Sequence, residues 1–443
     1  MTTRKRILAK HIDFSITSEC LDDVLTKVQA QSKSFESLAE KKRQFLIEKT
    51  ELACDSIEFL LRQRVRAHIN GYPSSGNAYL SLIEQKLAAL RDVLLACYDY
   101  HPGSLYRLLN DQPDIVVWVV MSESFSCADI VPSLLVCAAL PLISDVDLAQ
   151  MLAQFCTLGD FDICLASLID GKSDSSTRYF HYLVNRQTLS LDLLSHWQVN
   201  KVLLSHQVYP LLALGNQAQG KEWLDENFHY HDLLFERLVV ADSAAPWLNE
   251  MIRHESEALE KLGASRYQCA LSGVSAEGFD IMASDAAEIF ALTGETAWVP
   301  DIIANLETLS ADEGHSWLMA LMLVYGDALP VELDQLYVEM DWQQMLAHLK
   351  AWVDEQLHRR SENVRLGDEL NVTQSLAVMT SHKIDAKFRL LIWQQLCLRA
   401  NVYAHWSPLM PKHQQDDVLA KIQRLSDIEE RFEVRRTNAL VGC

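Results

Sequence analysis

Apolar residues recur at helical spacing in the first hundred residues and predict two long helices. One stripe runs through residues 34–70, where Ser34 or Ser37 can cap the helix, and a second runs through residues 80–97. The run GYPSSG at 71–76 separates them, because Gly and Pro favour turns over helix. Two amphipathic helices joined by so short a turn predict an antiparallel helical hairpin.

Short helical patterns separated by polar breaks make up most of the chain that follows. The run DIVVWVVM at 114–121 is apolar at every position after Asp114, so its periodicity fits either a buried strand or a buried helix. Asp145 precedes an amphipathic stretch and is expected to be its N-cap. Residues 359–374 are the most polar segment and predict a linker or an exposed turn.

These patterns predict an all-α fold in three parts. The predicted parts are an N-terminal helical hairpin domain at 1–110, a helical repeat region at 111–358 and a C-terminal helical region at 359–443. Composition agrees, because 15 Gly and 11 Pro in 443 residues are too few for the many tight turns of a barrel or a sandwich.

Three stretches of the middle region share one pattern. In each, an apolar helix ends, a small or polar break follows, and a new helix starts with tryptophan and an aliphatic residue. A bulky ring at a helix start can fill the corner where consecutive helices pack. The stretches are 211–228, 237–252 and 289–306, and their tryptophans are Trp223, Trp247 and Trp298.

This region resembles HEAT-like repeats, in which paired antiparallel helices stack into a solenoid. The resemblance covers about residues 200–330 and implies an irregular HEAT-like α-solenoid after the hairpin. An irregular helical domain with coincidental tryptophans is the alternative. The segments ASDAAEIFALTGETAWVPDII and LVVADSAAPWLNEM are also similar to a group of bacterial HEAT-like proteins of unassigned activity, often encoded beside type VI secretion genes. That second resemblance implies a cytoplasmic accessory or adaptor protein and supplies no catalytic residues.

The excess of acidic residues argues against some classes of binding partner. With 60 acidic and 39 basic residues the formal net charge is −21, and such a surface repels nucleic-acid phosphates and anionic lipids. The most apolar stretch, residues 130–144, contains two prolines and is shorter than the ~20 residues that a membrane span needs. We therefore expect neither nucleic-acid binding nor membrane insertion.

Cysteine usage and the N-terminal residues bear on the compartment. The ten cysteines are scattered and form no CxxC pair, which is typical of reduced thiols in a cytosol. The start MTTRKRILAKHIDF lacks the long apolar run of a signal peptide. The sequence therefore predicts a cytoplasmic protein.

Few residues form a pattern that is typical of a metal-binding or catalytic site. His229, His231 and Asp232 are weak candidates for a metal site, since imidazole and carboxylate groups bind zinc or manganese. On a helix the two histidines would point to nearly opposite sides, so we expect exposed or capping residues instead. His254 begins a zincin-like run, but Ala258 stands where the second histidine is needed. We predict no catalytic residue, no metal and no cofactor.

Three hypotheses for function remain open. The first is a non-enzymatic scaffold or adaptor whose acidic helical-repeat surface binds a basic or helical protein segment. In the second, an enzyme or small-molecule-binding protein has a pocket between hairpin and solenoid. In the third, a structural subunit forms a homo-oligomer through an exposed stripe of the hairpin, as in a four-helix bundle. Most tryptophans are expected in the core, but the first hypothesis assigns partner binding to Trp223, Trp247, Trp298 and Trp317.

Overall fold

Helices account for almost all the regular structure, as the apolar periodicity predicts. The computed structural model describes residues 7–8, 18–70, 76–122, 124–127, 129–241, 243–260, 262–273, 280–331, 341–359, 363–381 and 383–440. These residues contain 23 α-helices and a single two-stranded antiparallel hairpin of β-strands. The predicted all-α fold is confirmed.

The helices are numbered in chain order. Those of the first half are α1 (Ser18–Glu36), α2 (Glu40–Asn70), α3 (Gly76–Tyr100), α4 (Gly103–Tyr106), α5 (Pro113–Val120), α6 (Pro132–Ala139), α7 (Val146–Phe155), α8 (Phe161–Asp170), α9 (Ser176–Arg186), α10 (Leu191–Val199), α11 (Ser205–Leu214) and α12 (Ala218–Asn227). Those of the second half are α13 (Leu234–Val239), α14 (Ala244–Glu260), α15 (Ala264–Ser272), α16 (Ala286–Thr293), α17 (Val299–Leu306), α18 (Ala311–Tyr325), α19 (Trp342–Asp354), α20 (Val372–Thr380), α21 (Ala386–Ala400), α22 (Lys412–Gln423) and α23 (Ile428–Leu440). The strands are β1 (Val364–Arg365) and β2 (Asp368–Glu369), and short 3-10 helices lie at Leu140–Leu142, Phe228–Tyr230, Thr296–Trp298 and Gly326–Ala328.

The predicted hairpin is present as α2 and α3. Leu46, early in α2, belongs to a buried cluster with Cys97, late in α3. Arg64, late in α2, forms an ion pair of 2.7 Å with Glu84, early in α3. The two helices therefore run antiparallel, as predicted. Most of the turn between them, residues 71–75, lies outside the described residues.

The first predicted helix starts later than expected. Ser34 lies in the last turn of α1, and α2 begins only at Glu40. The Ser37 hydroxyl donates a hydrogen bond of 2.6 Å to the Ser34 carbonyl, which closes the end of α1. The predicted cap of a single helix at Ser34 or Ser37 is wrong, because these serines end one helix and precede another.

The described residues form two units that are each compact. Unit 1 comprises the described parts of 1–67, 77–208 and 409–411, and unit 2 those of 68–76, 209–408 and 412–443. Neither unit begins or ends at the predicted boundaries after residues 110 and 358. Each of the nine described cysteines is a free thiol. No helix of the described residues combines the length and the apolar character needed to cross a bilayer.

In unit 1, the apolar run that fitted either a strand or a helix is the buried helix α5. Pro113 occupies its first turn, where the fixed φ of proline favours a helix start. Seven of its eight residues are buried, and α5 packs against α6 and α7. Asp145 caps α7 as predicted, because its Oδ1 accepts a hydrogen bond of 3.0 Å from the Leu148 amide.

Unit 2 is organised around α21. Eleven of the fifteen residues of α21 are buried, and the helix contacts α13, α15, α16, α18, α20 and α23. Repeats in a solenoid contact only their neighbours along the chain. Since α21 packs against helices distant in sequence, the predicted solenoid is not confirmed.

The polar segment after α19 is not an exposed linker. Leu366 and Gly367 both have positive φ, the turn conformation that joins the tightest β-hairpins. Their amide groups donate hydrogen bonds of 2.9 and 2.8 Å to carbonyls in the last turns of α18. Val364 and Arg365 of β1 are buried. The expectation of an exposed segment at 359–374 is therefore wrong for β1, which the hairpin inserts into the core, whereas Asp368 and Glu369 of β2 are exposed.

Candidate protein-interaction surface

The four tryptophans predicted to bind a partner differ in exposure. Trp317 is only 6% exposed and packs against Phe290 with 6.3 Å between ring centres. Its ring is part of the core of unit 2, so we leave it out of the candidate surface. Trp223, Trp247 and Trp298 are half-buried. Trp247 and Trp298 lie close to helix starts as predicted, whereas Trp223 lies in the middle of α12.

Trp223 is the centre of a stack of three rings. Tyr209 lies 5.2 Å from it at an interplanar angle of 10°, and His231 lies 5.7 Å from it at 17°. Stacking of this kind fixes the ring within its own unit. Tyr209 and His231 thus cover part of the Trp223 ring, which leaves less of its surface for contact with another protein.

Trp247 is also held by neighbours from its own unit. Phe228 meets it edge-on at 5.4 Å, and the Arg237 guanidinium lies 4.5 Å from its ring centre. Arg237 also forms an ion pair with Asp225. Burial lowers the pKa of Arg237, and Asp225 opposes that shift. The indole therefore belongs to an internal cation–π cluster.

The three weak metal candidates are exposed but do not form a ligand set. His231 stacks on Trp223, while the ring of His229 lies 5.3 Å from that of Phe228. Asp232 occupies a left-handed turn position with φ of 57°. Within the described parts of the chain, no group of three or more His, Cys, Asp or Glu side chains converges to hold a metal ion.

Trp298 lines an open groove of about 390 Å³ in unit 2, together with Ile281, Asp301, Ala304 and Asn305. The 3-10 turn before α17 positions the tryptophan. The other three residues of this stretch, 301, 304 and 305, follow the i, i+3, i+4 spacing that places side chains on one helix face. Ile281 and Trp298 give the groove an apolar lining, and we call it the Trp298 groove.

One carboxylate lines the Trp298 groove, and another bonds to its indole. The indole Nε1 donates a hydrogen bond of 2.9 Å to Oε2 of Glu295, which fixes the ring orientation. Asp301 is exposed in the first turn of α17, and Asp280 is exposed next to Ile281 in sequence. None of the five lining residues is basic. The groove thus combines apolar surface with negative charge.

Comparison with known proteins does not assign this chain to a family. A scan against models of known protein families, a search of curated proteins and a search of solved structures each found no match.

The cysteine Cys127, between α5 and α6 in unit 1, was not anticipated as a chemically distinctive residue. The Tyr106 hydroxyl lies 3.6 Å from its Sγ, and the Tyr98 hydroxyl lies 3.2 Å from that of Tyr106. Partial burial opposes ionisation, but hydrogen bonds from Tyr98, Tyr106 and the amides of Asp129 and Ile130 lower the pKa of the thiol. No local motif signals this, because both tyrosines lie at least twenty residues earlier in the chain.

We expect Cys127 to react with iodoacetamide at a lower pH than an ordinary thiol, because the thiolate is the nucleophile. Tyr106→Phe removes one hydroxyl donor, so alkylation of Cys127 near neutral pH should slow by about threefold or more, with a higher apparent pKa. Alkylation of the native chain, followed by mass spectrometry across a pH series, measures both. Tyr179→Phe is the control, since that buried hydroxyl donates to the Cys137 carbonyl instead. Equal alkylation rates in the two variants would contradict the assignment.

Proposed function

We propose that this chain is a non-enzymatic adaptor that binds a basic, helical segment of another protein in the Trp298 groove. The groove itself is the observation that supports the proposal most. It presents a half-buried indole beside Ile281, with the Asp301 carboxylate among its lining residues. Tryptophan in a partly enclosed apolar site is a frequent anchor of protein–protein binding.

Charge favours the same type of partner. The chain carries a formal net charge of −21, and the Asp301 carboxylate lines the groove. A basic segment would be attracted over long range, and its association would weaken as salt screens that attraction. The volume of about 390 Å³ accommodates one or two apolar side chains from a helix. We also propose that the adaptor is cytoplasmic and accessory to a bacterial secretion system. This part of the proposal rests only on the similarity of two segments to HEAT-like proteins that are often encoded beside type VI secretion genes.

Binding of a labelled peptide tests the proposal. The probe is a fluorescein-labelled amphipathic peptide of Lys, Ala and Leu, and its counterpart carries Glu in place of Lys. We expect only the Lys peptide to bind the full chain, and Trp298→Ala to weaken binding by about tenfold or more. Asp301→Asn should weaken it less, mainly at low salt. Fluorescence anisotropy at low and high salt gives the affinities.

Two variants serve as matched controls. Tyr230→Ala removes an aromatic side chain that is 73% exposed and lies outside the groove. Asp312→Asn removes an exposed carboxylate from the first turn of α18, as Asp301→Asn does from the first turn of α17. Both should bind like the unmodified chain. The proposal fails if the Lys peptide does not bind, if Trp298→Ala binds it equally well, or if the Glu peptide binds as tightly.

A further inference from the structure

A row of exposed apolar side chains runs along α2, in unit 1. Phe45, Leu52 and Phe59 are 58%, 70% and 62% exposed. They are seven residues apart, close to two full helical turns, so their side chains lie along one line. We call these three residues the α2 row.

The α2 row is separate from the face of α2 that packs into unit 1. The buried residues Leu46, Ala53, Ile57 and Leu61 lie about 100–180° around the helix from the row. Helix α2 is therefore apolar on two sides, whereas a surface helix with one packed face normally shows one apolar stripe. A second apolar stripe on an outer face is typical of a helix that another helix covers.

The two sides that flank the middle of the α2 row carry opposite charges. Lys49 lies on one side, and Glu48 and Asp55 lie on the other, as the 100° rotation per residue requires. Toward the ends of the row, Lys41 and Arg62 share the side of Glu48. All five side chains are exposed. Lys49 also lies 5.8 Å from the ring centre of Phe45, so its charge sits directly beside the row.

We infer that a second copy of this chain covers the α2 row, with the two α2 helices side by side and parallel. A two-fold axis parallel to the helices places the Lys49 side of each beside the Glu48 side of the other. Lys49 of one copy then lies at nearly the same height as Glu48 of the second copy. An antiparallel pair would instead bring like sides together, with Glu48 near Asp55.

The row is small for an interface. Three side chains cover less than the ~800 Å² per partner of a stable complex. The dimer should therefore dissociate on dilution, with a Kd on the order of micromolar. This surface lies in unit 1 and the Trp298 groove lies in unit 2, so the inference does not depend on the proposed function.

Sedimentation velocity of the full chain, from low to high micromolar concentration, tests the inference. We expect a reversible monomer–dimer equilibrium for the unmodified chain. Leu52→Glu places a charge at the centre of the row and should raise the Kd by about tenfold or more. Leu204→Glu is the matched control, because Leu204 is 61% exposed and lies outside α2. Circular dichroism shows whether both variants keep their helix content.

Charge exchange tests the parallel arrangement. Glu48→Lys and Lys49→Glu should each weaken the dimer, because each puts like charges side by side across the two-fold axis. The double variant, with both changes, exchanges the two sides and should restore most of the affinity. Weakening by the single variants and recovery in the double variant would support the inference. A monomer at every concentration, a dimer unaffected by Leu52→Glu, or a dimer strengthened by Glu48→Lys would overturn it.

Discussion

Replacement of Arg365 by methionine should lower the free energy of unfolding by about 3–5 kcal/mol, through the loss of several buried hydrogen bonds. The guanidinium is fully buried and donates to Gln395 at 2.8 Å, to Ser375 at 2.9 Å, and to backbone carbonyls of α16 at 2.9 and 3.3 Å. Methionine fills much of the volume of the arginine side chain but has no N–H group to donate. The four acceptors would therefore stay buried without the hydrogen bonds that Arg365 makes to them. Each such loss costs about 1–3 kcal/mol.

Removal of the buried charge offsets part of this loss, because burial disfavours the charged form of the guanidinium in the folded chain. Burial, together with the nearby Arg399, lowers the pKa of Arg365 to about 9, so the group stays charged at neutral pH. Urea unfolding of the full chain, followed by tryptophan fluorescence, measures the loss. Arg431→Met is the control, because its ion pair with Asp427 is an exposed i, i+4 contact worth only about 0.3–0.5 kcal/mol. A loss below about 1 kcal/mol for Arg365→Met would mean that other groups replace its hydrogen bonds.

Gly294→Ala should destabilise the chain by about 2–4 kcal/mol, the second of the two largest effects. Gly294 ends α16 with φ of 65°, a conformation that L-residues adopt at a cost of about 1–2 kcal/mol. A Cβ there would also collide with the backbone of Val364, including its amide nitrogen at 2.8 Å. That amide donates to the Gly294 carbonyl at 3.0 Å, so the strand cannot withdraw without losing a hydrogen bond.

Two other glycines separate the steric and conformational parts of this effect. Gly263 also has a positive φ, 73°, but the nearest atom to its Cβ position is 3.4 Å away, at the end of the flexible Arg266 side chain. Gly263→Ala should therefore cost only about 1–2 kcal/mol. Gly159 has no neighbour within 4 Å of its Cβ position, so Gly159→Ala should be nearly neutral. Urea unfolding measures the loss in free energy of unfolding for each variant. If Gly294→Ala loses no more than Gly263→Ala, the contact with β1 is not the reason that a side chain is unfavourable at 294.

Local signals explain what could be predicted from the sequence. The long apolar stripes gave the α2–α3 hairpin, and Asp145 was recognised as an N-cap because capping involves residues only three apart. The run at 114–121 could not be assigned by periodicity, since every position after Asp114 is apolar. Its identity as α5 depends on burial from several sides, which neighbouring residues do not encode.

Long-range packing explains what could not be predicted. The polar composition of 359–374 favoured exposure, but Arg365 is buried because acceptors from residues 291, 292, 375 and 395 surround it. The same holds for α21, whose central position follows from helices far apart along the chain. In the groove, Trp298 was expected from the repeated pattern. Its companion Ile281 was not, because it precedes α16 and carries no such pattern.

The close contact between Gly294 and β1 limits which residues can replace Gly294 and Arg365 in other sequences with this fold. The backbone of Val364 lies where any side chain at 294 would have to project, and the next residue, Arg365, bonds to the last turn of the same helix. Neither position can change independently of the other: a side chain at 294 would displace the strand that carries Arg365, and loss of Arg365 would remove the hydrogen bonds that hold this strand against α16. Distant relatives should therefore be recognisable by a glycine and an arginine at these two places, even where the helical surfaces around them no longer align.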